Sequence, residues 1–236
     1  MSNVKLNLSN LKWKWVAFLL LVIVFLCGII YLYEEVNKLP PQEAVKQSLL
    51  HTLQARSYRF QVQASRLLKG QEIILSDLHG QKNSQGIYLQ GTLPLIKADV
   101  EIYYVGDTLY RRDPFTKGWV MVPTGGRVGI EELMAELNPL GVFDFLDDNF
   151  TVRYAGMEKV GKKKCRVYEV MTRGENKYLE LFWQDFNYIL WVDKKEKFIR
   201  RAQISAEHRD NSEHCLKIVF TLADYNLPLE LPSPVQ

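Results

Sequence analysis

Titratable side chains crowd into one short stretch, EHRDNSEHC, which contains His208 and His214. Imidazoles with Glu207, Asp210 and Cys215 beside them are ligand types that bind zinc. If two strands flank this stretch, the histidines face each other across a hairpin, while Cys215 points to the opposite face because side chains alternate along a strand. Two ligands on strand ends make a poor site without a third, so we predict a polar hairpin tip and no bound metal.

A second stretch, IYYVGDTLYRRDPFTKGWVMV at residues 102–122, interleaves cations with aromatic rings. Such a pattern suits nucleic acid, an anionic lipid headgroup or a solvated hairpin. Asp113-Pro114 begins a turn and Lys117-Gly118 ends it, so the sequence predicts a β-hairpin with cations near its tip. The candidate contacts for a headgroup or a protein partner are Arg111, Arg112 and Lys117.

No catalytic motif is found in the sequence, which contains no H-E-x-x-H, G-x-S-x-G, P-loop or C-x-x-C. The run TGGRVG before Ile130 lacks the Lys-Ser/Thr ending of a phosphate loop and suits a glycine-rich hinge. Paired carboxylates, such as Glu131-Glu132 and Asp147-Asp148, fall in predicted helix ends and turns, where the helix dipole accounts for them. We therefore expect neither an enzyme nor a bound cofactor.

Composition and charge are those of a folded protein without a nucleic-acid signature. Of the 236 residues, 47% are hydrophobic and 24% are charged, which argues against wholesale disorder. The formal net charge is only +3, and Lys5, Lys12 and Lys14 contribute part of it. Because a nucleic-acid binder concentrates a basic face, we expect no nucleic-acid partner.

The most apolar stretch is WVAFLLLVIVFLCGIIYLY, from Trp15 to Tyr33. As a helix, its roughly 19 uncharged residues would measure about 28 Å, the thickness of a bilayer core. Aromatic rings at both ends, lysines before it and glutamates after it predict a single uncleaved span with the N-terminus in the cytoplasm. The alternatives are a cleaved signal peptide, although no A-x-A pattern follows, and lipidation of Cys27, although Leu26 stands where a small residue is usual.

A break at KLPP separates this span from a β-rich body. Val45, Leu49 and Leu53 recur at every fourth position, which predicts one amphipathic helix beginning near Pro41. From Tyr58 onward, apolar and polar residues alternate as in half-buried strands. Turn residues divide the first part of the chain into predicted strands near 58–65, 71–79, 85–93, 98–105, 108–112 and 118–122. A helical insert is predicted at 130–147. After it, strands are predicted near 150–160, 164–172, 177–184, 188–193, 198–208 and 214–222, with a turn at 184–187.

This order predicts an α+β, mainly β fold: a curved antiparallel sheet, or half-barrel, with an N-terminal helix and an inserted helical lid, preceded by one transmembrane helix. The predicted boundaries are a cytoplasmic N-terminus at 1–14, the transmembrane helix at 15–33, a linker at 34–40, the extracytoplasmic domain at 41–227 and a loosely ordered proline-rich tail at 228–236. Cys165 and Cys215 fall in strands, either as a disulfide across the sheet or as two small buried side chains.

Three segments resemble the LolA-like lipoprotein-carrier superfamily. They are the opening helix running into ARSYRFQVQA, the hairpin VGDTLYRRDPFTKGWVMV, and LFWQDFNYILWVDKKEKFIRRAQIS, in which Trp191 and Asp193 precede a charged turn. The resemblance covers residues 41–227. It implies a bacterial envelope protein that binds lipoproteins or acylated lipids on the apolar concave side of its sheet, or senses envelope lipids. The predicted membrane anchor is a departure from that family and favours local hand-off or sensing over long-range transport.

The candidate site is therefore an apolar concavity on the outer side of the cytoplasmic membrane. Its predicted lipid-binding residues are Phe60, Val62, Val100, Ile102, Tyr104 and Phe220 from the strands, and Met134, Leu137, Phe143 and Phe145 from the helical lid. A filled core is the alternative interpretation of the same apolar faces. Two functions follow: a membrane-anchored module that binds lipid or acylated protein, or a scaffold or signalling domain with a filled core that binds an envelope protein partner and no lipid.

Overall fold

The computed structural model of the chain describes residues 15, 18–26, 39–106, 108–122, 150–172 and 181–232. Two units are distinguished, Met1–Pro40 and Pro41–Gln236. In the first unit, residues 18–26 are helical. Within the described ranges, no helix is both long enough and apolar enough to cross a membrane. The predicted span at 15–33 lies partly outside those ranges and stays a prediction.

The second unit contains, among its described residues, one α-helix, a short 3₁₀ helix and eleven strands. In chain order they are α1 (Pro41–Leu53), β1 (Tyr58–Leu68), β2 (Gln71–Lys82), β3 (Gly86–Leu93), the 3₁₀ helix (Pro94–Ile96), β4 (Ala98–Val105), β5 (Thr108–Arg112), β6 (Trp119–Val122), β7 (Phe150–Val160), β8 (Lys163–Thr172), β9 (Trp183–Asp193), β10 (Ile199–His208) and β11 (Asn211–Ala223). The predicted helical lid at 130–147 lies outside the described residues.

All eleven strands form one antiparallel sheet in the order β6-β5-β4-β3-β2-β1-β11-β10-β9-β8-β7. Its first and last strands in the chain, β1 and β11, pair at the centre, where Val62 lies opposite Phe220. Two meanders extend from this central pair, so that β6 and β7 form the edges of the open sheet. The mainly β fold with a curved antiparallel sheet, predicted from the sequence, is confirmed.

The main buried core lies on one face of this sheet, called the concave face below. Because side chains alternate along a strand, Phe60 and Val62 of β1 share this face with Phe220 of β11. The cluster extends to Leu109 in β5 and to Phe150 in β7, so it includes residues from both wings of the sheet. The opposite face is called the convex face.

Helix α1 closes one end of the concave face, called the helix end. The hydroxyl oxygen of Thr52 accepts a hydrogen bond from the backbone N–H of Ile199 at 3.0 Å. Stacked rings continue this contact, with centroids 4.0 Å apart for His51 and Phe198 and 4.2 Å apart for Phe198 and Tyr225. The Tyr225 hydroxyl donates to the carbonyl of Ile199, and burial raises the pKa of Tyr225 above its ordinary value. Side chains therefore fill the helix end.

The turn predicted at 184–187 is wrong, because these residues lie inside β9. Asp185 has φ +54°, and the register with β10 shifts between Ser205 and Glu207, where β9 has one extra residue. Asp and Asn tolerate this left-handed backbone, so the turn-forming residues mark a β-bulge here. The single strand β9, Trp183–Asp193, therefore includes the end of the predicted strand at 177–184, the predicted turn at 184–187 and the predicted strand at 188–193.

The first part of the tail predicted to be loosely ordered, 228–236, is bound to the sheet. The side-chain amide of Gln81 donates to the carbonyl of Glu230 at 2.6 Å, and that of Asn83 donates to the carbonyl of Leu229 at 2.9 Å. Because the acceptors are backbone carbonyls, the residue types of the tail contain no signal for these contacts.

Gly80 in β2 leaves space for the ring of Phe60. A Cβ at this position would overlap the carbonyl oxygen of Tyr88 in β3 and lie 2.6 Å from Cζ of Phe60. The carbonyl belongs to a paired strand and the ring is buried, so neither can withdraw freely. We expect Gly80→Ala to lower the free energy of unfolding by about 1–3 kcal/mol, measured by urea denaturation.

Gly118→Ala is the matched control for this substitution. A Cβ at Gly118 would meet only the Thr116 hydroxyl, at 3.4 Å, at an exposed hairpin tip. We expect this variant to unfold at the same urea concentration as the unmodified chain. Equal losses in both variants would contradict the steric explanation and point to a general effect of replacing glycine.

Candidate functional site

The strand residues predicted to bind lipid lie together on the concave face. Four of them are buried in the main cluster and two are partly buried against it; the buried ones are Phe60, Val62, Ile102 and Phe220, and the partly buried ones are Val100 and Tyr104. The structure therefore brings all six into one apolar surface. The four predicted lid residues, Met134, Leu137, Phe143 and Phe145, lie outside the described residues.

The apolar cluster contains both fully buried and partly buried side chains. Side chains at the centre, such as Phe220 and Ile204, are at most 1% exposed. Eight described apolar side chains around it are only partly buried: Leu53, Ile87, Val100, Tyr104, Val122, Val152, Phe186 and Ile218. The concave face thus has a filled core, and most of its partly accessible apolar side chains lie on the flanks, in β3, β4, β6, β7 and β9.

Sequence reasoning missed several buried members of this cluster, among them Leu78, Leu89 and Tyr188. The alternation in β2 and β3 is broken by glycines, so these strands showed no clear apolar face. The signal that identifies them is cross-strand pairing: Leu89 lies opposite Ile102, and Tyr188 lies opposite Ile204. This register is a property of the assembled sheet.

The β5–β6 hairpin has the predicted form. Oδ1 of Asp113 accepts hydrogen bonds from the backbone N–H groups of Thr116, at 2.7 Å, and Phe115, at 2.9 Å. These two bonds hold the pKa of Asp113 below its ordinary value. Lys117, with φ +57°, completes the turn by donating its N–H to the carbonyl of Asp113 at 3.0 Å.

The three cations predicted to contact a headgroup are separated in the structure. Arg112 lies on the convex face, 5.3 Å from the ring centroid of Trp119 and 3.9 Å from the carboxylate of Glu101. Arg111 pairs with Ile102 and therefore lies on the concave side, where it is exposed. Lys117 is at the hairpin tip. Only Arg111 shares a face with the apolar cluster.

The two histidines at the predicted hairpin tip do lie together. Their strands are joined by a tight turn at Arg209-Asp210, shorter than the loop that we expected. The ring centroids of His208 and His214 are 5.9 Å apart. Arg66 donates to Nδ1 of His214, and the N–H of Asp210 donates to Nδ1 of His208 at 3.2 Å. In the part of the chain that is described, no group of three His, Cys, Asp or Glu is placed to hold a metal ion.

No disulfide joins Cys165 to Cys215. Cys165 lies in β8 and Cys215 in β11, which are separated in the sheet by β9 and β10. Cys165 is buried beside Val167 and Trp191, and burial raises the pKa of its thiol. Of the two interpretations, the small buried side chain applies to Cys165.

This architecture is shared with a solved lipoprotein structure. LppX from Mycobacterium tuberculosis superposes with a TM-score of 0.56 and 15% identity, over 81% of this chain and 97% of LppX. The fold is LolA-like. No family model matches the sequence, and no curated protein aligns with it significantly.

Other LolA-like structures are similar to a lesser degree. LprF from Mycobacterium bovis has a TM-score of 0.49 and 13% identity, over 82% of this chain and 96% of LprF. A LolA-superfamily protein from Nitrosomonas europaea has a TM-score of 0.35 and 12% identity, over 83% and 96% of the two chains. At identities this low, the function has to be argued from the residues of this chain.

Proposed function

We propose that the chain is a membrane-anchored, extracytoplasmic module that binds a lipid or an acylated protein on its concave face. It would serve local hand-off or sensing in a bacterial envelope, as a binding protein without catalytic activity. The observation that supports this proposal best is the apolar cluster, against which eight partly buried apolar side chains pack. Apolar surface of this kind is what an acyl chain requires.

The energy of acyl-chain burial restricts the ligand to long chains. Each methylene removed from water contributes roughly 0.8 kcal/mol, whereas association costs roughly 4–15 kcal/mol in lost freedom of motion. A chain of a few methylenes cannot offset that cost, but one of a dozen or so can. The proposal therefore expects long-chain lipids or lipoproteins rather than small apolar molecules.

The helix end of the concave face leaves no room for such a chain. Thr52 and the stacked rings of His51, Phe198 and Tyr225 occupy it. An acyl chain would have to enter over the flanks or from the opposite end, called the far end, where the β1–β2 and β10–β11 turns lie.

The anchoring part of the proposal rests on the sequence from Trp15 to Tyr33. Its length, its aromatic ends and the lysines before it suit a single span with the main domain outside. The linker of residues 34–40 would keep the domain close to the bilayer, so that it exchanges lipid with nearby partners and does not travel between membranes.

Val122 and Met121 offer a direct test, because these neighbours in β6 face opposite sides of the sheet. Val122 packs against the apolar cluster, whereas Met121 is 60% exposed and pairs with Tyr110 on the convex face. We expect Val122→Asp to abolish co-purification of acyl lipid with the full-length chain, because a carboxylate opposes apolar burial. Mass spectrometry of organic extracts measures this, and Met121→Asp is the matched control.

Equal lipid content in the two variants and the unmodified chain would contradict binding on the concave face. Extracts of the unmodified chain that contain no acyl lipid would favour the alternative of a protein-binding scaffold.

A further inference from the structure

Beyond the apolar cluster, the concave face continues to a cation at the far end of the sheet. Arg66 lies four residues after Val62 in β1, so it faces the same side about 13 Å further along the strand. It pairs with the buried Leu216 of β11, and His214 is the next residue of β11 on that face. Leu216 and the buried Ala206 lie opposite each other on the same face. Buried apolar side chains therefore lie next to Arg66 on the face that contains the cluster.

Four half-buried side chains from four different strands meet at this point. Arg66 of β1 donates a hydrogen bond to Nδ1 of His214 in β11. The ring of His214 is followed by that of His208 in β10, at 5.9 Å, and then by that of Trp183 in β9, at 5.2 Å with edge-to-face geometry. We call these four residues the Arg66 group.

The guanidinium of Arg66 has a neutral partner, His214, whereas Arg59 in the same strand has an anion. Arg59, in the same strand but on the convex face, is 2.9 Å from the carboxylate of Asp224. For Arg66, no carboxylate among the described residues forms an ion pair, and its buried Nε makes no hydrogen bond. A guanidinium withdrawn from water without a counter-charge is unfavourable, so an anion at this position would stabilise it.

The surroundings of His214 are consistent with a site that accepts negative charge. Burial and the neighbouring Arg66 and His208 lower the pKa of His214, and its Nδ1 accepts a hydrogen bond from Arg66. Glu213, the carboxylate that raises this pKa, is exposed. Lys69 adds a further positive charge nearby.

We infer that the Arg66 group binds the anionic headgroup of an amphiphile whose acyl chain lies on the apolar cluster. This inference rests on the proposed function and adds a ligand class to it: a phosphate or carboxylate on a long chain. Arg66 supplies a charge-assisted hydrogen bond, the imidazole N–H groups of His208 and His214 supply further donors, and Trp183 provides an apolar wall beside them. Neutral lipids would leave the guanidinium without an anion and would bind more weakly.

Two photoreactive probes with the same alkyl chain test this inference on the purified full-length chain. One is a long-chain alkyl phosphate and the other is the corresponding alcohol. We expect the phosphate to label the protein at a concentration about ten-fold or more below that of the alcohol, because a charge-assisted hydrogen bond is roughly twice as strong as a neutral one. Arg66→Gln should remove this preference, and Arg66→Lys should retain part of it.

Arg59→Gln is the matched control, since it removes the same charge from the same strand on the opposite face. It should keep the full preference for the phosphate probe, and thermal unfolding of each variant verifies its fold. Equal behaviour of Arg66→Gln and Arg59→Gln, or equal labelling by both probes, would overturn the inference and leave acyl-chain binding intact. Labelling by neither probe would refute the proposed function itself.

Inorganic phosphate serves as the competitor that separates a headgroup from a free anion. We expect it to leave labelling by the alkyl phosphate unchanged at equal concentration, because it lacks the chain that contacts the apolar cluster. Full displacement at that concentration would show a site for the anion alone and would overturn the assignment to an amphiphile.

Discussion

Asp193→Ala should lower the free energy of unfolding by about 3–5 kcal/mol, the loss expected when one partner of a buried ion pair is removed. Asp193 is 2% exposed, and its Oδ1 accepts the backbone N–H groups of Lys195 at 2.8 Å and Glu196 at 3.0 Å. Its Oδ2 lies 3.4 Å from Nε of Arg200, which is 7% exposed. The substitution leaves two turn amides without their acceptor and leaves Glu196 as the one remaining carboxylate, among the described residues, that pairs with the buried guanidinium of Arg200.

The β5–β6 hairpin provides a control with the same turn but without the buried charge. Asp113 accepts two backbone N–H groups as Asp193 does, and the residue four positions later has a left-handed backbone in both loops, Lys117 and Lys197. Among the described residues, no buried arginine lies beside Asp113. Asp113→Ala should therefore lower the free energy of unfolding, measured by urea denaturation, much less than Asp193→Ala does. Similar losses in the two variants would show that the turn hydrogen bonds, and not the buried charge, account for the effect.

The same carboxylate should make stability depend on pH in acid. Burial alone would raise the pKa of Asp193, but hydrogen bonds from Glu196 and Lys195 and the charges of Arg200 and Lys163 outweigh it and lower the pKa. An unfolded aspartate titrates at about pH 3.9. The stabilisation by Asp193 is therefore complete above that pH and is lost as the pH falls through the pKa of Asp193 in the folded chain. The Asp193→Ala variant should accordingly lose less stability than the unmodified chain over this range.

Strands whose two faces differ sharply were predicted best from the sequence. The apolar and polar residues of 98–105 alternate, and glycine or proline ends the neighbouring segments, so β4 (Ala98–Val105) and β5 (Thr108–Arg112) have their predicted bounds. The error at 184–187 has a physical cause, since Asp and Asn favour a bulge with positive φ as readily as a turn. Local residue preference does not distinguish the two; pairing with β10 does.

The apolar half of the candidate site was predictable and the polar half was not. Phe60 and Val62 alternate with polar residues, which assigns them to one face without any knowledge of their neighbours. Arg66 follows the same alternation, but a cation near a strand end is typical of a solvated position. Its contact with His214 joins residues 148 positions apart and depends on the register of β1 against β11. No short-range pattern contains that information.

Phe220→Ala should lower the free energy of unfolding by about 3–5 kcal/mol. A bound ligand should then stabilise this variant more than it stabilises the unmodified chain. Phe220 is 1% exposed and lies between Val62 of β1 and Ala202 of β10, at the centre of the sheet. Its removal leaves an apolar cavity, which stays dry and empty unless an apolar group enters. An acyl chain on the concave face can fill that space, so a long-chain alkyl phosphate should raise the melting temperature of the variant more than that of the unmodified chain.

Phe115→Ala is the matched control, because Phe115 is 91% exposed at the β5–β6 hairpin tip. It should change neither the free energy of unfolding nor the stabilisation by ligand. The loss of stability and its reversal by ligand together show whether Phe220 belongs only to the core or also to the binding surface. A large loss of stability that ligand does not reverse would place Phe220 in a core beyond the reach of the acyl chain, with binding confined to the flanks. A large loss that ligand reverses would show that the chain reaches the centre of the sheet. In that case the filled core and the binding surface are the same set of side chains, and the ligand replaces contacts that the protein otherwise makes with itself.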